Sequence, residues 1–121
     1  QYTAYVKVTG NISQVVTFAF FKSSEDETPS KFKIVDITVQ ERSTDGAHWA
    51  TIWDLHGEGA SLSEINYGAK YDGLSEIVPA KPLNPQREYQ VMISGTTRLA
   101  PGLGKAGGSF FFGEDGQVIQ K

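Results

Sequence analysis

In "TIWDLHGEG", Asp54 and His56 stand two residues apart, on one side of an extended segment. A carboxylate that orients an imidazole is half of a nucleophilic triad. The serine would have to come from elsewhere, because no G-x-S-x-G step occurs in the chain. A small hydrolase around Asp54 and His56 is therefore one expectation. The other histidine, His48, invites a metal reading. On one continuous strand, however, the residues between the two histidines, at ~3.3 Å each, hold the rings ~26 Å apart, too far for one coordination sphere. Only Asp54 and Glu58 are at hand as further ligands, so the sequence predicts neither a metal site nor a cofactor.

Aromatic side chains offer a different chemistry. By simple alternation Trp49 and Trp53 fall opposite the histidines, with Thr51 and Leu55. Their area is most simply core filling, worth several kcal/mol at ~25 cal/mol per Å². The alternative is a stacking platform for a sugar or peptide near residues 48 to 71, built from Trp49 with Tyr67 and Tyr71 and flanked by His48 and His56. "GLGKAG" at 102 to 107 satisfies G-x-G-x-x-G, but "GSFFF" follows, so no helix opens to hold a pyrophosphate. It reads as a flexible loop between strands. "EDE" at 25 to 27 lacks the alternate spacing and glycine of a calcium loop and reads as a solvated acidic stretch. Asn11-Ile12-Ser13 is formally a glycosylation acceptor, relevant only in a eukaryotic secretory setting.

The elements that must position these residues are strands. Valine, isoleucine and threonine number 9, 8 and 9, against 6 leucines and 1 methionine. Such β-branched side chains suit a pleated surface. The 13 glycines and 5 prolines punctuate the chain at intervals typical of short strands and tight connections. Val6 and Val8 alternate with polar neighbours, and Gly10-Asn11 turns the chain. Ile12 to Phe21 reads as a central strand that sends Phe18 and Phe20 inward. From Phe32 to Arg42 the period of two places Val35, Ile37 and Val39 on one face and Asp36, Thr38 and Gln40 on the other. "STDG" turns, and Trp49 to Leu55 returns. "SLSEINYG" has capping-box spacing at Ser61 and Glu64 and reads as a single helical turn. Strands at 74–78, 88–95, 109–113 and 117–120 complete the set.

The chain of 121 residues suffices for one domain with a self-supporting core. It holds no cysteine, which excludes disulfides and thiolate metal sites. With a net charge of -3 there is no basic footprint for nucleic acid. The longest apolar run, Val15 to Phe21, falls far below the ~20 residues a membrane-spanning helix needs, so no transmembrane segment is expected. The sequence begins at Gln1, which leaves room for a signal or lipid-attachment segment upstream.

One stretch is diagnostic of architecture. In "PLNPQREYQVMISG", Leu83, Pro85 and Tyr89 precede the alternation of Tyr89, Val91 and Ile93. Where a chain crosses from one sheet to the other, the corner carries backbone groups that no ladder satisfies. Leu83-x-Pro85-x-x-x-Tyr89-x-Val91-x-Ile93 resembles the tyrosine corner of fibronectin type III and related immunoglobulin-like domains. That resemblance implies a structural role for the three residues: the tyrosine hydroxyl bonds back to the upstream backbone, proline stiffens the corner and leucine plugs the core. The immunoglobulin cysteine pair is missing, and no tryptophan stands between Val6 and Phe21 where fibronectin type III domains carry one. The carboxyl half, "INYG", "VPAKPLNPQREYQVMISG" and "SFFFGEDGQVI", also resembles the ends of small bacterial envelope lipoproteins, which implies a lipid anchor upstream of Gln1.

The expectation is one immunoglobulin-like, all-β antiparallel sandwich of about seven strands in two sheets. Its core should contain Val6, Phe18, Phe20, Val35, Ile37, Val39, Trp53, Leu83, Tyr89, Val91, Ile93, Phe110 and Phe112. The strand holding Phe110 and Phe112 should pair with that holding Val91 and Ile93. The leading functional expectation is a noncatalytic extracytoplasmic binding or structural module of the bacterial envelope, periplasmic or outer-membrane associated. Its partner would be another envelope protein or a surface glycan. A carbohydrate- or peptide-binding domain and a small hydrolase are the alternatives.

Overall fold

Runs of alternating apolar residues become strands wherever one face has a core to cover. In the computed structural model, which describes residues 4–96 and 104–121, nine strands do so and no helix is present among the described residues. In chain order they are β1 (Tyr5–Gly10), β2 (Val16–Phe21), β3 (Phe32–Arg42), β4 (Trp49–Leu62), β5 (Glu64–Asn66), β6 (Ser75–Val78), β7 (Tyr89–Thr96), β8 (Gly104–Phe112) and β9 (Val118–Gln120). They form a three-stranded sheet, β1-β2-β5, and a six-stranded sheet, β6-β4-β3-β7-β8-β9. All pairings are antiparallel.

The two sheets enclose one cluster. Val6, Val8, Val16, Phe18, Phe20 and Ile65 come from the small sheet, and Ile34, Ile37, Val39, Trp53, Leu55, Tyr89, Val91, Phe110 and Phe112 from the large one. Phe18 meets Phe110 edge to face across the layers at 5.8 Å. Tyr89 and Phe110 stack at 5.4 Å and are register partners, which fixes the expected pairing of β7 with β8.

Interruptions in the ladder account for the departures from simple alternation. Between Ile34 and Asp36 the register of β3 shifts against both neighbours. Val35 becomes the bulged residue and is only half-buried, and Ile34 takes the core position expected for it. Ile52 is likewise the extra residue between Val39↔Trp53 and Gln40↔Thr51, so Ile52 and Trp53 both turn inward. Leu83 packs against the core but is only partly buried. "SLSEINYG" forms no helical turn. Ser61 and Leu62 remain paired with Lys33 and Phe32, and Ile65 is fully buried opposite Phe18. Here burial of an apolar side chain outweighs a capping-box spacing.

Tyrosine hydroxyls tie the irregular segments to this frame. The Tyr89 hydroxyl accepts from the Asn84 backbone N–H at 2.6 Å and lies 2.7 Å from Glu41 Oε2 and 3.2 Å from the Asn84 carbonyl. This is the upstream bond expected of Tyr89. Tyr71 repeats the device with the same five-residue offset, its hydroxyl accepting from the Asn66 N–H at 2.7 Å. At the opposite edge the Gln120 side-chain amide acts as a peptide unit toward β1. Its Oε1 accepts from Val8 N and its Nε2 donates to Val6 O, both at 2.9 Å.

Candidate functional site

The outer face of the large sheet brings titratable groups together. Asp36 on β3 is the direct register partner of His56 on β4, and Thr38 is the partner of Asp54. Register partners project on one face, so the four side chains form a block across two strands. Beneath it Ile37 and Leu55, fully buried, face the core. Alternation placed Asp36, Thr38, Asp54 and His56 outward, but the bulges on either side decide which of them meet.

His56 engages Asp36, not Asp54: its Nδ1 lies 3.2 Å from Asp36 Oδ1. The Thr38 hydroxyl lies 3.0 Å from Asp36 Oδ2 and 3.4 Å from Asp54 Oδ1. A hydroxyl carries one hydrogen, so it donates to one carboxylate at a time. Burial pushes the Asp54 carboxyl up to about 6. A hydrogen bond with Asp36 and the repulsion of its charge push the same way, while the Thr38 bond and the His56 charge oppose them. Asp54 therefore keeps its proton to higher pH than an isolated aspartate would. Such a group can exchange a proton near neutral pH and present hydrogen bonds from a flat surface. Across β6, Ser75 is the register partner of His56. Among the described residues no hydrogen bond joins its hydroxyl to the imidazole.

The remaining expected site residues lie apart. His48 is exposed in the connection before β4. The bulge at Ile52 turns Trp49 and Thr51 to the outer face rather than inward with Trp53: Trp49 pairs with Arg42, whose guanidinium covers its ring at 5.6 Å, and Thr51 meets Gln40. Tyr67 packs edge-on against the buried Trp53 at 5.1 Å, its hydroxyl donating to the Lys81 carbonyl. Burial raises that phenol to about 12. Tyr71 serves Asn66. The aromatic side chains thus stand on different surfaces.

Residues 104 to 107 of "GLGKAG" belong to β8 rather than to a loop, with Gly107 opposite Met92; Gly102 and Leu103 lie outside the described residues. Next to them Gly108 leaves room for β1, since a Cβ there would stand 3.0 Å from Gln120 Nε2 and 3.3 Å from Val6. The Asn11 side chain is occupied by its own turn and by the Asp115 carbonyl. "EDE" lies in a connection without regular structure. Among the described residues no group of three or more histidine, aspartate or glutamate side chains is placed to hold a metal ion, and no helix is long and apolar enough to cross a membrane. Asp36 is the member that sequence reasoning missed as a site residue. Its outward position was legible, but its pairing with His56 depends on register. No family model, curated protein or solved structure matches the chain.

Proposed function

We propose that the chain is a noncatalytic extracytoplasmic module of the immunoglobulin-like, fibronectin type III kind, serving the bacterial cell envelope as a binding or structural unit. The observation that carries this reading is the Tyr89 latch at the entry to β7, in a sandwich with β1, β2 and β5 in one sheet and β3, β7 and β8 side by side in the other. The reading draws support from this arrangement because immunoglobulin-type sandwiches likewise keep strands A, B and E in one sheet and C, F and G in the other. Fold alone does not give a role, so the binding surface has to be argued from side chains.

The outer face of the large sheet suits a polar partner such as another envelope protein or a glycan. The Gln40 and Gln90 amides join side by side, with Thr51 next in the row and the Asp36, Thr38, Asp54 and His56 block one row away. Its amides and hydroxyls offer hydrogen bonds from a rigid, open surface. The test is the protein isolated from its native cell. An acylated or signal-processed amino terminus supports the reading, whereas an unprocessed chain in the cytoplasmic fraction refutes it.

The contact between His56 and Asp36, with Ser75 on the next strand, favours a hydrolase as the second reading. Turnover of an activated ester that is lost in both His56→Ala and Ser75→Ala would establish it in place of the first.

A further inference from the structure

Among the described residues, Glu88 and Glu41 form ion pairs with full cations. Glu88 lies 2.8 Å from Lys121 and 3.2 Å from Arg42, and Glu41 lies 4.0 Å from Arg87. Asp36 and Asp54 differ. Among the described residues no lysine or arginine forms an ion pair with either, and the only basic group in contact is the His56 imidazole. Two neighbouring carboxylates without a cation repel when both are ionised, and the buried residues beneath keep them from moving apart.

We infer that Asp36, Thr38, Asp54 and His56 form a proton-operated clasp between β3 and β4, closed in mildly acidic medium and loosened as the medium turns alkaline. With Asp54 protonated, the block loses one negative charge and gains a hydrogen that can be donated toward Asp36, whose Oδ1 keeps its contact with His56 Nδ1. Every link across the two strands is then attractive. With both carboxylates ionised, two like charges face each other and the single Thr38 hydrogen serves only one of them.

The surroundings neither quench nor replace this. From β6, Ser75 faces His56 and Val78 faces Asp54, while Glu76 stands opposite Leu55. Beyond Asp36, Ser94 on β7 separates it from Lys105 on β8. Glu58 on β4 and Lys33 on β3 lie past the bulge, where the Lys33 chain runs alongside Gly59.

The sign follows from linkage. The Asp54 carboxyl is raised from 3.8 to about 6 in the folded chain. Its contribution is therefore complete below 3.8 and is lost as pH rises through about 6. The clasp is independent of the proposed role and holds whether or not the face binds a partner.

The test combines a carbon-13 carboxyl titration of Asp54 with thermal melting of wild type, Asp54→Asn and Asp36→Asn between pH 5 and pH 8. The Asp54 signal should have its midpoint near 6 in wild type and move part of the way down in Asp36→Asn, which removes the Asp36 contributions but leaves the burial. The melting temperature of wild type should fall between pH 5 and pH 8, and Asp54→Asn should lose much of that fall and exceed wild type at pH 8. A wild-type midpoint at or below ~4, or the full fall retained in Asp54→Asn, overturns the clasp. Should Asp54→Asn not fold, the Asp54 signal in wild type and Asp36→Asn decides alone.

Discussion

Replacing Tyr89 by phenylalanine removes one oxygen and leaves the ring, which separates the latch from the packing. The ring is fully buried against Phe110 and Phe112 at 5.4 and 6.0 Å, contacts that phenylalanine retains. What is lost is the bond from the Asn84 N–H and the hydroxyl's own donation, made over 2.7 Å to Glu41 in preference to 3.2 Å to the Asn84 carbonyl. A neutral bond contributes about 1 kcal/mol, and one to a charged acceptor about 1.5–3 kcal/mol. Glu41 is half-buried, so water recovers part of the second amount. The net cost should be about 2–3 kcal/mol. In a domain of this size that lowers the melting temperature by about 6–15 °C. Near-ultraviolet circular dichroism should follow the melt, and urea unfolding should show a lower midpoint with an unchanged slope. Tyr71→Phe, which loses only the Asn66 N–H bond, should cost about 1 kcal/mol. A Tyr89→Phe protein melting within about 2 °C of wild type would refute the argument that this hydroxyl secures the corner.

Gln120→Leu keeps the bulk but removes both amide bonds to β1, so hydrogen exchange at the Val8 amide should accelerate, with a loss of about 1–2 kcal/mol in denaturant unfolding. Gly57→Ala would set a Cβ 2.2 Å from the Gly73 carbonyl oxygen, where backbone meets backbone. The expected cost is about 2–3 kcal/mol, read as a lower unfolding midpoint. On the acid side, the hydrogen bond from Lys121 and then that from Arg42 hold the Glu88 carboxyl below its ordinary range. Its stabilisation is present above the unfolded value and is lost as pH falls through the lowered one. Melting temperature should therefore drop in strong acid, and by less in Lys121→Ala.

The strands were legible because their code is local. Val6 and Val8, Phe18 and Phe20, and Val91 and Ile93 each announce one buried face, and Leu83-x-Pro85-x-x-x-Tyr89 announces the latched corner at the entry to β7, although the chain arrives there from β6 of the same sheet and not, as expected, from the other one. Register was not legible, because it depends on where a ladder skips. Nothing in "KIVDIT" marks Val35 rather than Ile34 as the residue to be bulged out. Inserting Ile52 between paired positions reverses the facing of every residue before it, which is why Trp49 lies under Arg42 instead of beside Trp53. The pairing of Asp36 with His56 has the same origin. The repeated Asn-x-x-x-x-Tyr spacing, Asn66 to Tyr71 and Asn84 to Tyr89, did carry a local signal for the second latch.

The position of the acidic block bears on why its carboxylates stay together. Asp36 and Asp54 occupy the two most heavily paired strands, over Ile37 and Leu55, with the Ile52 bulge on one side and the Gly57 to Gly59 bend on the other. At that bend the Gly59 N–H donates to the Gly73 carbonyl over 3.1 Å, pinning a turn against β4. The carboxylates therefore cannot separate without disturbing backbone that is secured on both sides. A sheet selected for stability alone would place threonine, or an opposite charge, at one of these positions. Two carboxylates on a rigid floor should therefore weaken the sheet as pH rises through the raised Asp54 value of about 6, a local conflict that the clasp experiment measures directly. The outer face of β3 and β4 is accordingly where substitutions should alter pH response, whereas substitutions at Tyr89, Gln120 and Gly57 should alter stability at every pH.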